Sequence, residues 1–166
     1  VGDALFAADD IQMQEGTSFL CPAFYASMGF GVPGVIGAQL ADPFRRAIAL
    51  VGDGAFQMTG MELLTAKRLG LNPIIIVVNN GSFTSLRSMA HEEADFVKIA
   101  SINYAQFAAL LGGTGFVVET GAQFKQALRK ARDSESFSII DVRLLPEDIS
   151  PALQRLSQLF AKTLKG

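Results

Sequence analysis

One cysteine, one histidine and no run of Lys or Arg leave this chain short of several kinds of chemistry. A single thiol, Cys21, excludes an internal disulfide and is compatible with a reducing compartment, so a cytoplasmic protein is expected. His91 stands in the acidic stretch Ala90-His91-Glu92-Glu93-Ala94-Asp95, with no Ser or Cys partner at a recognisable spacing. It reads as a surface histidine, and no nucleophilic triad is expected. Without a basic patch the chain offers no handle to nucleic acid. No apolar segment reaches membrane-spanning length and nothing resembles a signal peptide, so no membrane partner is expected either. Internal repeats, low-complexity tracts and linkers are absent.

What is there is apolar. The 166 residues are 49% hydrophobic with a formal net charge of −2. That length allows one domain with a full-sized core, and part of its surface is expected to be covered by something else.

Two stretches organise the rest. Ala47 to Val51 and Pro73 to Val78 are short, continuous apolar runs rich in β-branched residues, and both read as buried strands. The first runs into Gly52-Asp53-Gly54-Ala55-Phe56, the second into Asn79-Asn80-Gly81-Ser82. An acid and an amide are thus delivered to the C-terminal ends of two strands, the edge where open α/β sheets bind ligands. Asp53 offers a hard carboxylate oxygen and Asn80 a hard amide oxygen, and loop carbonyls after Asn80 can add a third. Such a set suits Mg²⁺ or Ca²⁺ rather than zinc. A helix expected to start near Phe56 would aim free N–H groups at the same place, which favours a diphosphate. Either motif alone reads as a tight turn or a strand-end cap; both together, each after a buried strand, point to a site.

Gly29-Phe30-Gly31-Val32-Pro33-Gly34 matches the dinucleotide fingerprint by letter, with Asp53 following 19 residues later. The match is rejected. No convincing strand precedes it, and Pro33 sits where a phosphate loop needs free N–H groups. Val35 to Leu40 is expected to be a packed helix instead. Met28, taken alone, reads as core filler.

Gly52-Asp53-Gly54, a helix, a strand and then Asn79-Asn80, with Asn80 27 residues after Asp53, resemble the cofactor signature of thiamine diphosphate (ThDP) enzymes. The resemblance runs over nearly the whole chain, to the C-terminal diphosphate-binding domain of 2-oxo acid decarboxylases. Asp3 to Phe6, Tyr25 to Pro33, Gly52 to Gly60 and Asn79 to Arg87 are most similar to the phenylpyruvate/indolepyruvate decarboxylase branch. The resemblance implies residues 1–166 to be a ThDP- and Mg²⁺-binding domain. In that family a first strand lies just before Val1, after pyrimidine-binding and central domains. The chain, beginning Val1-Gly2-Asp3 without an initiator Met, is expected to be a piece of a longer polypeptide.

Carried over residue by residue, the resemblance implies that Asp53, Asn80 and the Ser82 carbonyl hold Mg²⁺. Gly52, Gly54, Ala55 and Phe56 would surround the diphosphate, with Ser82, Phe83 and N–H groups near Thr84 and Ser85. Asp3 would lie near the pyrimidine, through its backbone. The Ala26 carbonyl would accept from the 4′-amino group, and Met28 would hold the cofactor bent. No catalytic residue is expected in this chain. The activating Glu of the family comes from the pyrimidine-binding domain of a second subunit, in a homodimer or tetramer. Leu86 is a departure, since many pyruvate-type decarboxylases carry Glu there. It is expected to line the pocket, and with Phe83 it hints at a bulky, apolar side chain on the substrate. The activity implied is non-oxidative decarboxylation of a small 2-oxo acid, of aromatic type, to an aldehyde and CO₂, with the isolated chain inactive. The alternatives are an acetolactate synthase-like carboligase domain, a small subunit of a heteromeric ThDP enzyme, and a structural fragment that no longer binds cofactor.

The remaining pattern alternates. Helices are expected over Phe56 to Leu69, Tyr104 to Leu111 and Gly121 to Arg132, and strands over Gly115 to Glu119 and Phe137 to Val142. Glu62 reads as a solvated or ion-paired helix residue. Strands alternating with helices imply an α/β fold with a doubly wound, mainly parallel sheet flanked by helices. Ser150 and Pro151 open a last helix as N-cap and first residue. Its stripe of Leu153, Leu156, Leu159, Phe160 and Leu164 is expected to serve as a closing arm over a partner surface.

Overall fold

Four apolar runs become four strands in the computed structural model, which describes residues 3–87 and 95–163: β1 (Ile48–Gly52), β2 (Ile74–Asn79), β3 (Thr114–Val118) and β4 (Ser138–Arg143). All pair in parallel, in the order β1-β2-β4-β3. Parallel pairing needs a crossover between strands, and the helices that provide it cover both faces. On one face α2 (Gly31–Ala41), α3 (Asp53–Thr59), α4 (Leu63–Arg68) and α6 (Tyr104–Leu110) enclose a core of Val35, Phe56, Leu63, Ile75 and Tyr104, with Phe137 from the turn before β4. On the other, α7 (Gly121–Arg132) lays Ala127 and Ala131 against Ile74, Val118 and Ile140. The remaining helices are α1 (Asp3–Asp9), α5 (Thr84–Arg87) and α8 (Pro151–Thr163). The expected doubly wound α/β fold with a parallel sheet is the one observed.

Local signals set the helix ends. Thr120 and Gln123 form a reciprocal capping box at the start of α7. Gly70, at φ +64°, ends α4; its N–H and that of Leu71 reach back to the carbonyls of Lys67 and Ala66. This αL closure is one that only glycine adopts without strain. The Ser150 hydroxyl accepts the Leu153 N–H at 3.2 Å, as expected of an N-cap. The helix read as running from Phe56 to Leu69 begins three residues earlier, at Asp53, and tightens to a 3₁₀ turn over Gly60–Glu62. The early start follows from Gly52, whose extended backbone lets it act as the N-cap directly after β1. α2 likewise starts at Gly31, so Pro33 falls inside its first turn, where a missing N–H costs nothing.

At the N-terminal ends of the strands Arg46 acts as a clamp. Its guanidinium donates to the carbonyls of Asn72 (2.6 Å), Arg132 (2.7 Å) and Ser134 (2.9 Å), with a longer contact to Ala131. One side chain thus ties the start of β2 to the end of α7. At the opposite, C-terminal ends of β1 and β2 the chain opens into a cavity. The last helix buries Leu153 but leaves Leu156 and Leu159 exposed. Leu164 and the Phe160 side chain of the expected stripe, like His91, lie outside the described residues. No described helix is long and apolar enough to cross a membrane.

Candidate cofactor and metal site

β1 and β2 lie side by side in register, with Gly52 opposite Val78. Whatever follows them must emerge together, so Asp53 and Asn80 meet at one sheet edge. Asp53 opens α3 and is 3% exposed. One carboxylate oxygen accepts the Gly54 N–H at 2.8 Å, the other the Gly81 N–H at 2.7 Å. The second bond stitches the two motifs to each other. Burial raises the Asp53 pKa above the usual carboxylate value, an effect partly offset by the backbone N–H groups of Gly81, Gly54 and Asn80. Among the described residues no Lys or Arg pairs with it.

Asn80 is also buried. Its Nδ2 donates to the Thr84 hydroxyl at 2.6 Å and its Oδ1 accepts the Ser82 N–H at 3.2 Å. The Ser82 carbonyl accepts from the Thr84 N–H at 2.9 Å and, more weakly, from the Thr84 hydroxyl at 3.4 Å. The Asn80 bonds fix which way the amide points. A carboxylate and an amide oxygen each have acceptor capacity beyond one hydrogen bond, so Asp53 and the Oδ1 of Asn80 can also serve as ligands. The chemistry of this donor set, two hard neutral oxygens beside one buried, uncompensated carboxylate, fits a hard divalent cation.

These groups border a cavity of about 190 Å³. Of the residues singled out in the sequence, Ala26, Met28, Gly52, Asp53, Gly54 and Ala55 line it from one side. Asn80, Ser82, Phe83, Thr84, Ser85 and Leu86 line it from the other. Ala26 is at φ +50°, a left-handed conformation that costs a non-glycine residue about 1–2 kcal/mol. Strain of this kind persists where surrounding structure enforces it. Gly54 lies under the Phe83 ring so closely that a Cβ there would overlap it. Leu86, 44% exposed, gives the cavity an apolar rim.

One of the expected residues stands apart. Phe56 points into the core, edge-to-face on Tyr104 and Phe107, rather than into the cavity. Its ring fixes α3 instead of touching a ligand. Asp3 opens α1, whose second residue, Ala4, lines the cavity; the Asp3 side chain lies outside the described residues. Glu62 is exposed and accepts from the Thr65 hydroxyl at 3.3 Å, as a solvated helix residue should.

A second tier of residues lies behind the cavity and escaped the sequence reading. Tyr104 is buried; its hydroxyl accepts from Gln57 Nε2 at 2.9 Å and donates to the Asp53 carbonyl at 3.5 Å. Burial is the main reason its pKa is pushed up to about 12, and the nearby Asp53 and Asp141 charges add to it. The hydroxyl therefore stays protonated at neutral pH. Asp141, on β4, has no solvent exposure. It accepts from Asn79 Nδ2 at 2.8 Å, Arg143 at 2.8 Å and the Tyr104 N–H at 3.1 Å. The available signal was an acid inside the run Ile139-Ile140-Asp141-Val142, since a charge on a strand buried on both faces needs partners.

Comparison with known proteins gives the family. Residues 1–142 match the family described as thiamine pyrophosphate enzyme, C-terminal TPP binding domain. The chain is 42% identical over 159 residues to an indole-3-pyruvate decarboxylase of Azospirillum brasilense, covering 95% of this chain and 28% of that protein. It is 34% identical over 155 residues to an alpha-keto-acid decarboxylase of Mycobacterium tuberculosis, covering 92% of this chain and 28% of that protein. Among solved structures it is similar to a thiamine diphosphate-dependent 4-hydroxybenzoylformate decarboxylase of Rhodococcus jostii. That match has a TM-score of 0.68 and 30% identity, over 73% of this chain and 24% of that one. The chain thus spans about a quarter of the length of these relatives. It belongs to the family of C-terminal thiamine pyrophosphate-binding domains of thiamine pyrophosphate enzymes.

Proposed function

We propose that this chain supplies the diphosphate- and Mg²⁺-binding half of the active site of a 2-oxo acid decarboxylase acting on an aromatic substrate of the indolepyruvate or phenylpyruvate type. The observation that carries the reading is the buried Asp53 carboxylate, stitched to the loop after Asn80 and without a cationic side-chain partner among the described residues. Asp53, Asn80 and the Ser82 carbonyl would hold the cation, and the cation would restore to Asp53 the ionisation that burial opposes. The cofactor, when bound, supplies the electron sink that lets a 2-oxo acid lose CO₂.

The chain's own residues do the rest of this half. Ala26, held in its strained turn, presents backbone to the cavity, and Met28 fills its apolar side. Leu86 and Phe83 exclude water from the rim, which suits an apolar substrate side chain. Among the described cavity residues Asp53 is the sole ionisable side chain, and it is committed to the cation. As the family resemblance implies, the proton-handling carboxylate would come from a pyrimidine-binding domain of a second subunit, in a homodimer or tetramer of the whole protein. The similarity to the indole-3-pyruvate decarboxylase favours an aromatic substrate.

Calorimetry tests the half-site. ThDP should bind only with Mg²⁺ present, and Asp53→Ala should abolish that Mg²⁺-dependent binding. Cation-independent binding equal in both proteins would sink the assignment. In the whole protein, indole-3-pyruvate or phenylpyruvate should be turned over with a kcat/KM at least tenfold above that for pyruvate.

A further inference from the structure

We infer that Asp141 is a positioning residue for the Asp53–Asn80 cation site, acting through Asn79 and Tyr104. The inference rests on the cation reading given above and adds residues that touch neither ligand nor cavity.

The geometry is that of a hub. Asp141 sits on β4, the neighbour of β2, with Val77 opposite it in the register. One carboxylate oxygen takes the Asn79 Nδ2 at 2.8 Å; the other takes the Tyr104 N–H at 3.1 Å and Arg143 at 2.8 Å. The first contact fixes the side chain of the residue that immediately precedes Asn80. The second fixes the start of α6, which turns the Tyr104 hydroxyl towards Gln57 and the Asp53 carbonyl. Gln57 lies on α3, the helix that Asp53 opens. The two cation donors arrive on different strands, and one buried carboxylate braces both approaches from behind. Asn79 and Arg143 share a further acceptor, the Ile102 carbonyl, at 3.4 Å each, so the loop before α6 is gathered into the same hub.

A charge in this place is not needed for packing. The two residues that precede it on the strand, Ile139 and Ile140, are fully buried and apolar. A buried ion pair is weak evidence for stability, and an apolar replacement is often neutral. What the carboxylate provides is direction, because it accepts simultaneously from three donors in three elements. Groups that orient metal ligands from behind typically alter metal affinity 10–100-fold when removed.

The test is Mn²⁺ binding, followed by electron paramagnetic resonance with and without ThDP, on the whole protein that carries this chain. It is run well below each variant's unfolding temperature. Asp141→Asn keeps the volume but presents a donor to Asn79; it should weaken Mn²⁺ binding at least tenfold and alter the bound-ion spectrum. Asn79→Ser leaves the contacts of Asp141 to Arg143 and Tyr104 in place and should weaken binding about tenfold. It decides the matter if Asp141→Asn does not fold. A folded Asn79→Ser or Asp141→Asn protein with wild-type Mn²⁺ affinity and spectrum, whatever its melting temperature, would show a purely structural hub and overturn the inference. Failure of the wild type itself to bind Mn²⁺, or binding unaffected by Asp53→Ala, would overturn the cation reading and this inference with it.

Discussion

Asp53 carries two opposing demands. Its place at the sheet edge puts it where a cation is wanted, and its burial makes the ionised form unfavourable without one. The linkage has a definite sign. A carboxyl whose pKa is raised by folding stabilises the fold when protonated. That contribution is present at low pH and lost as pH rises through the folded pKa. In cation-free protein, the melting temperature of wild type relative to Asp53→Asn should therefore rise as pH falls through the raised folded-state pKa of Asp53. Saturating Mg²⁺ should flatten the difference; one that is flat without the cation would argue against it. At about a hundred times its Kd, a specifically bound cation should add about 2.7 kcal/mol. Gly115 makes a simpler case: a Cβ there would meet the Ala105 backbone of α6. Gly115→Ala should cost about 1–3 kcal/mol, read from the urea midpoint, because backbone cannot move aside as a flexible side chain can.

At the scale of elements, periodicity and punctuation made most of the fold legible. α7 was placed residue for residue, and in the structure Thr120 and Gln123 cap it. Thr120→Ala should destabilise by about 1 kcal/mol in thermal unfolding without moving cofactor affinity. The start of α3 was less legible. Asp53 and Gly54 look like turn residues in sequence, whereas in the structure the extended Gly52 caps a helix that follows the strand directly. The cavity residues were legible because chemistry accumulates after two apolar runs. The hub was not, because its partners Asn79, Tyr104 and Asp141 lie on three elements far apart in the chain. Phe56 failed for the opposite reason: it is adjacent to the signature in sequence but faces the other side of its helix.

For the whole molecule the expected result is incompleteness. The purified 166-residue chain with ThDP and Mg²⁺ should release no CO₂ from phenylpyruvate above background, and measurable turnover would refute the half-site reading. Phe24, 91% exposed, and Tyr25 stand edge-to-face on the surface beside the Ala26 turn. In the whole protein they are expected to be covered. Phe24→Ser should weaken subunit association in analytical ultracentrifugation while leaving the circular dichroism of the domain unchanged.

The Arg46 clamp makes the sheet a cantilever. One guanidinium bonds backbone carbonyls at the end of α7 and the start of β2. Close by, Ile74 and Ser138 donate to the carbonyls of Ala47 and Pro73 at 3.0 and 2.9 Å. That end is riveted, while the other end opens onto the cavity. Motion should therefore grow along the strands, and amide exchange should be slower at Ile75 and Ile139 than at Asn79 and Arg143. Cofactor and cation would then act as the second rivet. The same sheet would be compliant while the site loads and stiff once it is filled.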